Sequence, residues 1–511
     1  MMNRFRFLFL LISILLSSCS FDSSDSKSKS FEIVDKESFV ENTDVLFIMY
    51  MDGDNSLNDT AWENIFLAQI GLRAARTDKI TVVALIDGYI TSPDDIGNGK
   101  SYLLKLGGYD EDEYKYNNNT KSYNFKLVSR NSKDYSQTVN WIYARNHEVD
   151  MSSGNTLYYF LTWTKKHFKA QKTILAVQNH GGGPYNELKS SISSRSICWD
   201  DTNHPEDDDS YLSTTDVATA INKTFGKIDM LVEDVCLQCS IEEIYGLQDA
   251  VHYMVASPNT TYGNTYNYDK IIPYASFGAS IEEIGKLFIE KNKEYCINET
   301  YTLRKSTTLD FDPTCMELSL TLVDCSKSDV LENIKKHTSE LAEAIMSADF
   351  EQKRICINSI GFLPKNTTET IYGFCYKASF SYTNDIGLMS YILANSSAIT
   401  DTKIKTAAQN LFSDLKNNNL IVAAWAGGSG KDWYYTGDDS YGSNFEFLKI
   451  TDEKCPWGIS ITANRGFSYD KDGKITKYNI SLENYSNWSK FAKDNKWADL
   501  LKTYKNSLGR L

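Results

Sequence analysis

Positive charge is scarce in this sequence. Its 511 residues contain 53 Lys and Arg against 67 Asp and Glu, which gives a formal net charge of −14 at pH 7. An acidic surface repels the phosphates of DNA and RNA, so nucleic acid is excluded as the expected partner. The negative charge either attracts basic substrates or only keeps the protein soluble, and composition alone leaves both interpretations open.

Several familiar site motifs are absent as well. The sequence has no GxxxxGK(S/T) segment, which excludes a P-loop nucleotide site. It has no EF-hand spacing and no pair of CxxC motifs, so neither an EF-hand loop nor a zinc site of that type is indicated. Ten cysteines are too few for a disulfide scaffold in so long a chain. Setting Cys19 aside leaves an odd number, so at least one thiol is expected to stay unpaired within the chain.

The amino terminus has the pattern of an export signal. Arg4 and Arg6 precede an apolar run at residues 7–16, which is too short to span a bilayer as a mature helix. The run ends in Leu-Ser-Ser-Cys, which resembles a bacterial lipobox with cleavage before Cys19 and acylation of its thiol. We therefore predict an exported, membrane-anchored lipoprotein with a signal peptide at 1–18 and a flexible tether at 19–43. The alternative is a plain secretory signal followed by a chance cysteine.

Beyond the tether, strand patterns alternate with helical patterns. Continuous apolar runs that predict buried strands lie at 45–50, 80–86, 173–178, 228–232 and 251–256. Helical periodicity lies between them at 58–73, 156–166 and 215–224. This alternation predicts an α/β fold with a mostly parallel sheet and helices on both faces, and with its chemistry outside the carboxyl ends of the strands. We assign the catalytic core to 44–270 and a C-terminal α+β part that packs on it to 271–511.

A histidine and a cysteine each follow one of these strands. The third strand runs into Asn-His-Gly-Gly-Gly at 179–183, and the fourth into Glu-Asp-Val-Cys at 233–236. The sequence has only six histidines, and only His180 lies in a glycine-rich turn at a strand end. Either residue alone is more often structural than catalytic. If the two strands are neighbours, however, His180 and Cys236 converge on one edge of the sheet.

These two residue types together fit nucleophilic catalysis. A free thiol has a pKa near ~8.5, so it needs an imidazole to take its proton or to stabilise the thiolate. The same imidazole, on His180, then protonates the leaving amine. A helix expected to start near Ser240 adds its positive dipole end close to the sulfur of Cys236. The amides of Gly181 and Cys236 are expected to line an oxyanion hole.

The two segments resemble the signature segments of the clostripain family of cysteine peptidases. The similarity lies in residues 179–183 and 234–237, followed by Glu242. Further similarities follow in family order at 50–57, 197–202, 212–213, 256–258, 263–264, 268, 458–461, 491–492 and 497. Together they span about residues 44 to 505. The resemblance implies a caspase-like α/β fold and peptide hydrolysis through an acyl-enzyme on the cysteine, without a cofactor. It also implies peptide or protein substrates with a basic residue before the scissile bond.

That preference has a physical interpretation in this sequence. Asp234 would pair with Arg or Lys in the substrate pocket, and its alternative role is to cap the following helix. Asn264 stands in the pocket segment where many members carry Asp, which leaves Lys or a broader preference open. Many members also mature by self-cleavage in the loop after the histidine, where Lys189 and Arg195 are the candidate sites. The alternative is an ordinary exposed basic loop.

Calcium is a further possibility that the resemblance raises, since some relatives need it. Asp200 and Asp201, with the acidic run at 206–209, would supply part of the six to eight oxygen ligands that calcium takes. The alternative interpretation is a solvated acidic loop.

Two other functions fit parts of the sequence. A surface lipoprotein would keep the peptidase fold as a binding module, although a binder has no need of the histidine, cysteine and glycine turn together. A thiol–disulfide oxidoreductase would use Cys236 and Cys239 as its CxxC pair. That motif is expected after an early strand of a roughly 100-residue unit, not after the fourth strand of a long α/β region. We expect Cys239 to lie inside the following helix with its thiol in packing.

Overall fold

The computed structural model describes residues 39–89, 101–107, 115–117, 122–124, 139–144, 149–183, 197–202, 211–259, 261, 263, 265–305, 318–361, 383–427, 458–463, 467–469, 475–478 and 485–508. The predicted signal peptide, Cys19 and most of the predicted tether lie outside this part of the chain. Residues 31–511 form one compact unit.

The strands of the described residues are β1 (Glu41–Gly53), β2 (Ile80–Gly88), β3 (Tyr102–Leu106), β4 (Lys115–Asn117), β5 (Ser122–Asn124), β6 (Val139–Ala144), β7 (Phe168–Gln178), β8 (Ile228–Asp234), β9 (Val251–Ala256), β10 (Leu318–Asp324), β11 (Thr383–Asp385), β12 (Ile421–Gly427), β13 (Ser460–Thr462), β14 (Phe467–Tyr469) and β15 (Ile475–Tyr478). The helices are α1 (Asn58–Ala74), α2 (Gly154–His167), α3 (Thr214–Thr224), α4 (Ile241–Leu247), α5 (Tyr268–Ser276), α6 (Ile281–Lys305), α7 (Ser328–Ser347), α8 (Phe350–Gly361), α9 (Ile386–Asn395), α10 (Thr402–Asn417), α11 (Tyr485–Trp488) and α12 (Lys496–Leu508).

Within these residues the main sheet has nine strands in the order β12-β10-β9-β8-β7-β1-β2-β3-β6. Its central five strands, from β9 to β2, are parallel. The strands at both edges pair antiparallel. The predicted mostly parallel α/β sheet is confirmed, and the antiparallel edges are an addition that the apolar runs did not predict. Because β10 and β12 belong to this sheet, strands from both sides of residue 270 share it, and the boundary there stays a prediction.

Alternating residues of β1 explain why the sheet is covered on both faces. Leu46, Ile48 and Tyr50 pack in the apolar cluster that includes side chains of α2, α3 and α7. Phe47 and Met49 pack in the opposite cluster with α1, α5 and α6. Successive side chains of a strand point to opposite faces, so an unbroken apolar run requires cover on both. The predicted helices on both faces are therefore present.

Among the helices of the described residues, none combines the length and the apolar character that crossing a bilayer requires.

Candidate active site

The ends of β7 and β8 bring the glycine turn against the cysteine loop. Gln178 pairs with Asp234 in the parallel register, so His180 and Cys236 both lie two residues beyond a paired position. A Cβ built on Gly181 would lie 2.1 Å from the carbonyl oxygen of Cys236 and 2.8 Å from its amide nitrogen. The two segments that the sequence singled out therefore touch through their backbones.

The Cys236 thiol is half-buried and lies against two backbone amides. Its Sγ accepts a hydrogen bond from the amide of Thr261 at 3.3 Å. Burial raises the pKa of the thiol, and the neighbouring Asp234 adds to the rise, while Thr261 and the amide of Gly181 oppose it. At neutral pH the resting sulfur is therefore a thiol, and a base must take its proton before it attacks.

The residue after Cys236 has a strained backbone. Leu237 has φ +66°, in the left-handed region, which costs a non-glycine residue about 1 to 2 kcal/mol. Two backbone bonds to the segment after β9 hold the loop in this shape. The Leu237 amide donates to Asn259 O at 2.8 Å, and the Cys239 amide donates to Ser257 O at 2.9 Å. The loop that carries the thiol is thus fixed in place by its neighbour.

Helix α4 begins after this loop with its own cap. The Ser240 hydroxyl accepts a hydrogen bond from the Glu243 amide at 3.2 Å, so Ser240 is the N-cap. The alternative in which Asp234 caps this helix is therefore wrong. The placement of Cys239 inside the helix is also wrong, because Cys239 precedes the cap. Its thiol is nevertheless fully buried, and burial raises the pKa of Cys239 well above its usual range. Such a thiol is a poor exchange partner for Cys236, which disfavours the oxidoreductase interpretation.

The His180 ring is held by two segments distant in sequence. Its Nε2 lies 2.8 Å from the Oγ of Ser56, in the turn between β1 and α1. Its ring stacks on Trp199, with centroids 4.6 Å apart and planes inclined by 11°. Asn55, next to Ser56, donates from Nδ2 to the carbonyl oxygen of Trp199 at 3.0 Å. Sequence reasoning missed Ser56. Its position just beyond a central strand is the signal that would have found it.

Asp234 is a buried carboxyl at the end of β8. Its Oδ2 accepts hydrogen bonds from Asn64 Nδ2 at 2.9 Å and from the Tyr268 hydroxyl at 3.2 Å. Burial raises the pKa of Asp234 to about 7, against the lowering effect of these two bonds. A desolvated carboxylate held by neutral donors is well suited to pair with a cationic side chain. Asn64 is a second residue that sequence reasoning missed.

Two of the predicted calcium ligands, Asp200 and Asp201, lie among the described residues. Asp200 is buried, and its Oδ2 accepts a hydrogen bond from the Met151 amide at 3.0 Å. The Asp201 amide donates to the carbonyl oxygen of Asp54 at 2.9 Å. In the part of the chain that the structure describes, no group of three or more His, Cys, Asp or Glu side chains is arranged to hold a metal. The run at 206–209 lies outside the described residues, so calcium binding by this segment stays a prediction.

The C-terminal part braces the cysteine loop. The Ser460 amide donates to the carbonyl oxygen of Cys239 at 2.8 Å. The Thr462 amide and the Tyr485 hydroxyl both donate to Oε1 of Glu242, at 2.8 and 2.6 Å. These bonds give Glu242, singled out through the family resemblance, a structural role: it ties α4 to the end of the chain.

Stability is expected to fall as the pH rises from 5 to 8. The carboxyls of Asp52, Glu233 and Asp234 are buried, and burial raises the pKa of each, to about 7 for Asp234. In the unfolded chain they titrate near ~4. The folded state therefore binds more protons in this window, and the stabilisation present at low pH is lost as the pH rises through the folded pKa. Thermal unfolding midpoints measured at both pH values test this, and a higher midpoint at pH 8 contradicts it.

Glu243→Gln separates this effect from general charge repulsion. Burial raises the pKa of Glu243, and the Thr214 hydroxyl donates a hydrogen bond to it, which glutamine can still accept. The variant should show a smaller drop in midpoint between pH 5 and pH 8 than the unchanged protein. An identical drop would show that Glu243 does not contribute to the pH dependence.

A thiol and an imidazole at adjoining strand ends of an α/β sheet form an arrangement typical of cysteine-dependent hydrolases. Residues 49–504 match the clostripain family. The chain belongs to this family of cysteine peptidases, and the resemblance noted in the sequence is confirmed.

One relative matches part of the sequence, and two solved structures share the fold. Clostripain from Hathewaya histolytica is 23% identical over 293 residues, which are 52% of this chain and 52% of that protein, so the match spans about half its length. A secreted C11 cysteine protease from Bacteroides thetaiotaomicron, solved with an irreversible peptide inhibitor, has a TM-score of 0.52 at 15% identity, over 89% of this chain and 99% of that one. An inactive zymogen C11 protease from Parabacteroides distasonis has a TM-score of 0.50 at 13% identity, over 91% and 99%. The two structures confirm the predicted caspase-like α/β class.

Four predicted site residues lie outside the described residues. They are the lipidation site Cys19, the cleavage candidates Lys189 and Arg195, and the pocket residue Asn264. Their roles stay predictions.

Proposed function

We propose that this protein is a cysteine endopeptidase that cleaves after Arg or Lys, with Cys236 as the nucleophile and His180 as the proton carrier. The backbone contact between Gly181 and Cys236 is the observation that supports this most strongly, because it joins the histidine turn to the cysteine loop. The resting thiol also calls for a neighbouring base, since burial raises the pKa of Cys236.

The proposed reaction has two halves. His180 takes the proton from the Cys236 sulfur, which attacks the carbonyl carbon of the scissile bond. The C–N bond then breaks, His180 gives the proton to the leaving amine, and a thioester remains on Cys236. Water deprotonated by His180 hydrolyses the thioester and restores the thiol. The amides of Gly181 and Cys236 stabilise the transient oxyanion.

The proposed specificity depends on Asp234. This carboxyl lies two residues before Cys236, close enough for its charge to raise the pKa of the thiol. A substrate Arg or Lys would pair with it in a site from which water is largely excluded, where a charge pair is strong. The positive charge of a bound Arg or Lys side chain also favours the ionised form of Asp234. Substrate binding and ionisation of Asp234 are therefore coupled.

Asp234→Asn is expected to reduce kcat/KM on peptides ending in Arg or Lys by about 100-fold, because a buried charge pair is lost. On a peptide ending in Ala the change should stay below about threefold. In the unchanged protein, KM for the Arg peptide should fall as the pH rises through about 7, where Asp234 ionises, and the variant should lose this dependence. Initial rates on fluorogenic peptides ending in Arg, Lys, Ala and Asp measure all three effects.

A matched control comes from the other end of β8. Asp229 accepts a hydrogen bond from the Thr173 amide at 2.7 Å and lies at the amino end of the strand. Asp229→Asn should leave the preference for Arg unchanged. If Asp234→Asn lowers kcat/KM equally on the Arg and Ala peptides, Asp234 supports the loop that carries Cys236 and does not determine the substrate preference.

We also propose that the protein matures by cutting itself after Lys189 or Arg195. Both follow the turn carrying His180 in the sequence, and both have the side chains that Asp234 would bind. A relative solved as an inactive zymogen supports a maturation step. Whether a Cys236→Ala variant stays uncut tests this proposal.

We also propose that a lipid on Cys19 anchors the protein to a membrane, because the Leu-Ser-Ser-Cys segment that ends in Cys19 follows a basic start and a short apolar run, as in a bacterial lipobox. Mass spectrometry of protein extracted from membranes should find an acylated Cys19 as the first residue, and any other amino terminus would rule this out.

A further inference from the structure

His180 has a hydrogen-bond partner outside the proposed dyad. The Oγ of Ser56 lies 2.8 Å from Nε2 of the ring, across 124 residues of sequence. Ser56 comes just before α1, where a serine often caps a helix through its side chain. Here the cap position is Leu57, without a side-chain cap bond. The Ser56 hydroxyl is thus directed to the histidine and not to the helix that follows it.

The turn that carries Ser56 is fixed against the segment that stacks on the same ring. Asn55 donates to the carbonyl oxygen of Trp199 at 3.0 Å. The Asp54 carboxylate accepts hydrogen bonds from the amide and the hydroxyl of Thr202, at 2.7 and 2.8 Å. The Ser56 hydroxyl and the Trp199 ring are therefore held relative to each other, with the imidazole in contact with both.

We propose that Ser56 is a positioning residue for His180: it accepts a hydrogen bond from Nε2–H and thereby assigns Nδ1 as the nitrogen that exchanges a proton with Cys236. This inference rests on the proposed dyad. A neutral imidazole carries one proton, and the hydrogen bond at one nitrogen decides which tautomer is present. A hydroxyl that accepts from Nε2–H leaves the lone pair on Nδ1.

The effect of Ser56 is largest during the reaction. When the S–H bond of Cys236 breaks, an Nδ1–H bond forms on His180, and the ring carries a positive charge with N–H at both nitrogens. Ser56 then can only accept, and it stabilises a cation that exists only while the thiolate exists. The Nδ1 proton later goes to the leaving amine, while Nε2 keeps its proton throughout. Because burial makes the Cys236 thiol a weaker acid, a base with a stabilised cation offsets that cost.

Ser56→Ala and Ser56→Thr in the full-length protein test this. Alanine should lower kcat by about tenfold with KM nearly unchanged, because the lost bond acts on the charged ring and not on the substrate. The acidic limb of the kcat/KM profile should move to lower pH, because His180 loses the acceptor that holds its proton. Threonine keeps the hydroxyl at an exposed position with room for a methyl group, so it should restore both kcat and the profile.

A control variant and an NMR titration distinguish an effect of Ser56 on His180 from a general effect of removing a serine hydroxyl. Ser153→Ala is the matched control, since Ser153 is at the cap position of α2 without a side-chain cap bond, and it should change neither quantity. An NMR titration of His180 in the Cys236→Ala background should give a lower pKa when Ser56 is also alanine. A Ser56→Ala enzyme that is as active as the unchanged protein, more active, or less active with an unmoved pH profile overturns the inference. No peptide cleavage by the unchanged protein would instead count against the proposed function, and the titration would still decide the role of Ser56.

Discussion

Cys236→Ala should lower kcat/KM on peptides ending in Arg or Lys by at least about 1,000-fold, because the atom that forms the thioester is removed. The change deletes one half-buried sulfur and leaves the Leu237 and Cys239 backbone bonds that hold the loop. We therefore expect the thermal unfolding midpoint to move by only a few degrees. Initial rates on the fluorogenic peptides, with an unfolding curve for each protein, separate lost chemistry from a lost fold.

Cys239→Ala is the matched control for this result. The side chain is buried, so the variant should lose about 1 kcal/mol of stability and keep its activity within about twofold. An oxidoreductase, in contrast, would fail with either cysteine replaced. Gel analysis of the same preparations tests maturation: the unchanged chain should split near Lys189 or Arg195, and Cys236→Ala should stay intact. A Cys236→Ala protein that splits would show that another protease makes the cut.

Gly181→Ala is expected to reduce kcat/KM by about 100-fold or more, because small displacements of reacting groups have effects of that size. A methyl group there would lie 2.1 Å from the carbonyl oxygen of Cys236, 2.8 Å from its nitrogen and 3.0 Å from its carbonyl carbon. All three are backbone atoms, so the overlap is relieved only when the glycine turn and the cysteine loop move apart. The Gly181 amide, which opposes the rise in the pKa of the Cys236 thiol, would then move away from the sulfur. Peptide kinetics, together with the alkylation rate of Cys236, measure both effects.

Gly226→Ala makes the same chemical change at a site with open space. Gly226 has φ +76°, and a Cβ there meets nothing within 4 Å. Its cost is the left-handed backbone, about 1 to 2 kcal/mol of stability, and its activity should be unchanged. If Gly181→Ala keeps full activity, the contact between the two strand ends is not what assembles the site.

The central strands were predictable because they are buried on both faces. The apolar runs at 45–50, 80–86, 173–178 and 228–232 each lie inside an observed strand, and the run at 251–256 coincides with β9. An unbroken run of this kind requires cover on both sides, which only the middle of a layered sheet provides. In such sheets the functional residues lie at the carboxyl ends of the strands. This rule indicated the glycine turn that carries His180 and the loop that carries Cys236, which are in contact in the structure.

The remaining features depend on tertiary contacts that local patterns do not encode. Pairing of β10 with β9 and β12 joins segments far apart in sequence, and the short strands β3 and β6 carry little information about their partners. Cys239 was misplaced because helix boundaries depend on the cap, here Ser240. Ser56 contacts His180, and Asn64 contacts Asp234, only because α1 and the turn before it fold back over the strand ends.

The most direct test of the account is to find which atom an irreversible peptide inhibitor modifies. The purified full-length protein would be incubated with peptidyl ketones that alkylate cysteine peptidases, ending in Arg, Lys or Asp, and the adduct would be located by mass spectrometry. We predict a single adduct on Cys236, formed with the Arg and Lys inhibitors and lost with the Asp one. An adduct on Cys239, or equal labelling of Cys236 by all three inhibitors, would contradict the assignment of the nucleophile or of the basic pocket.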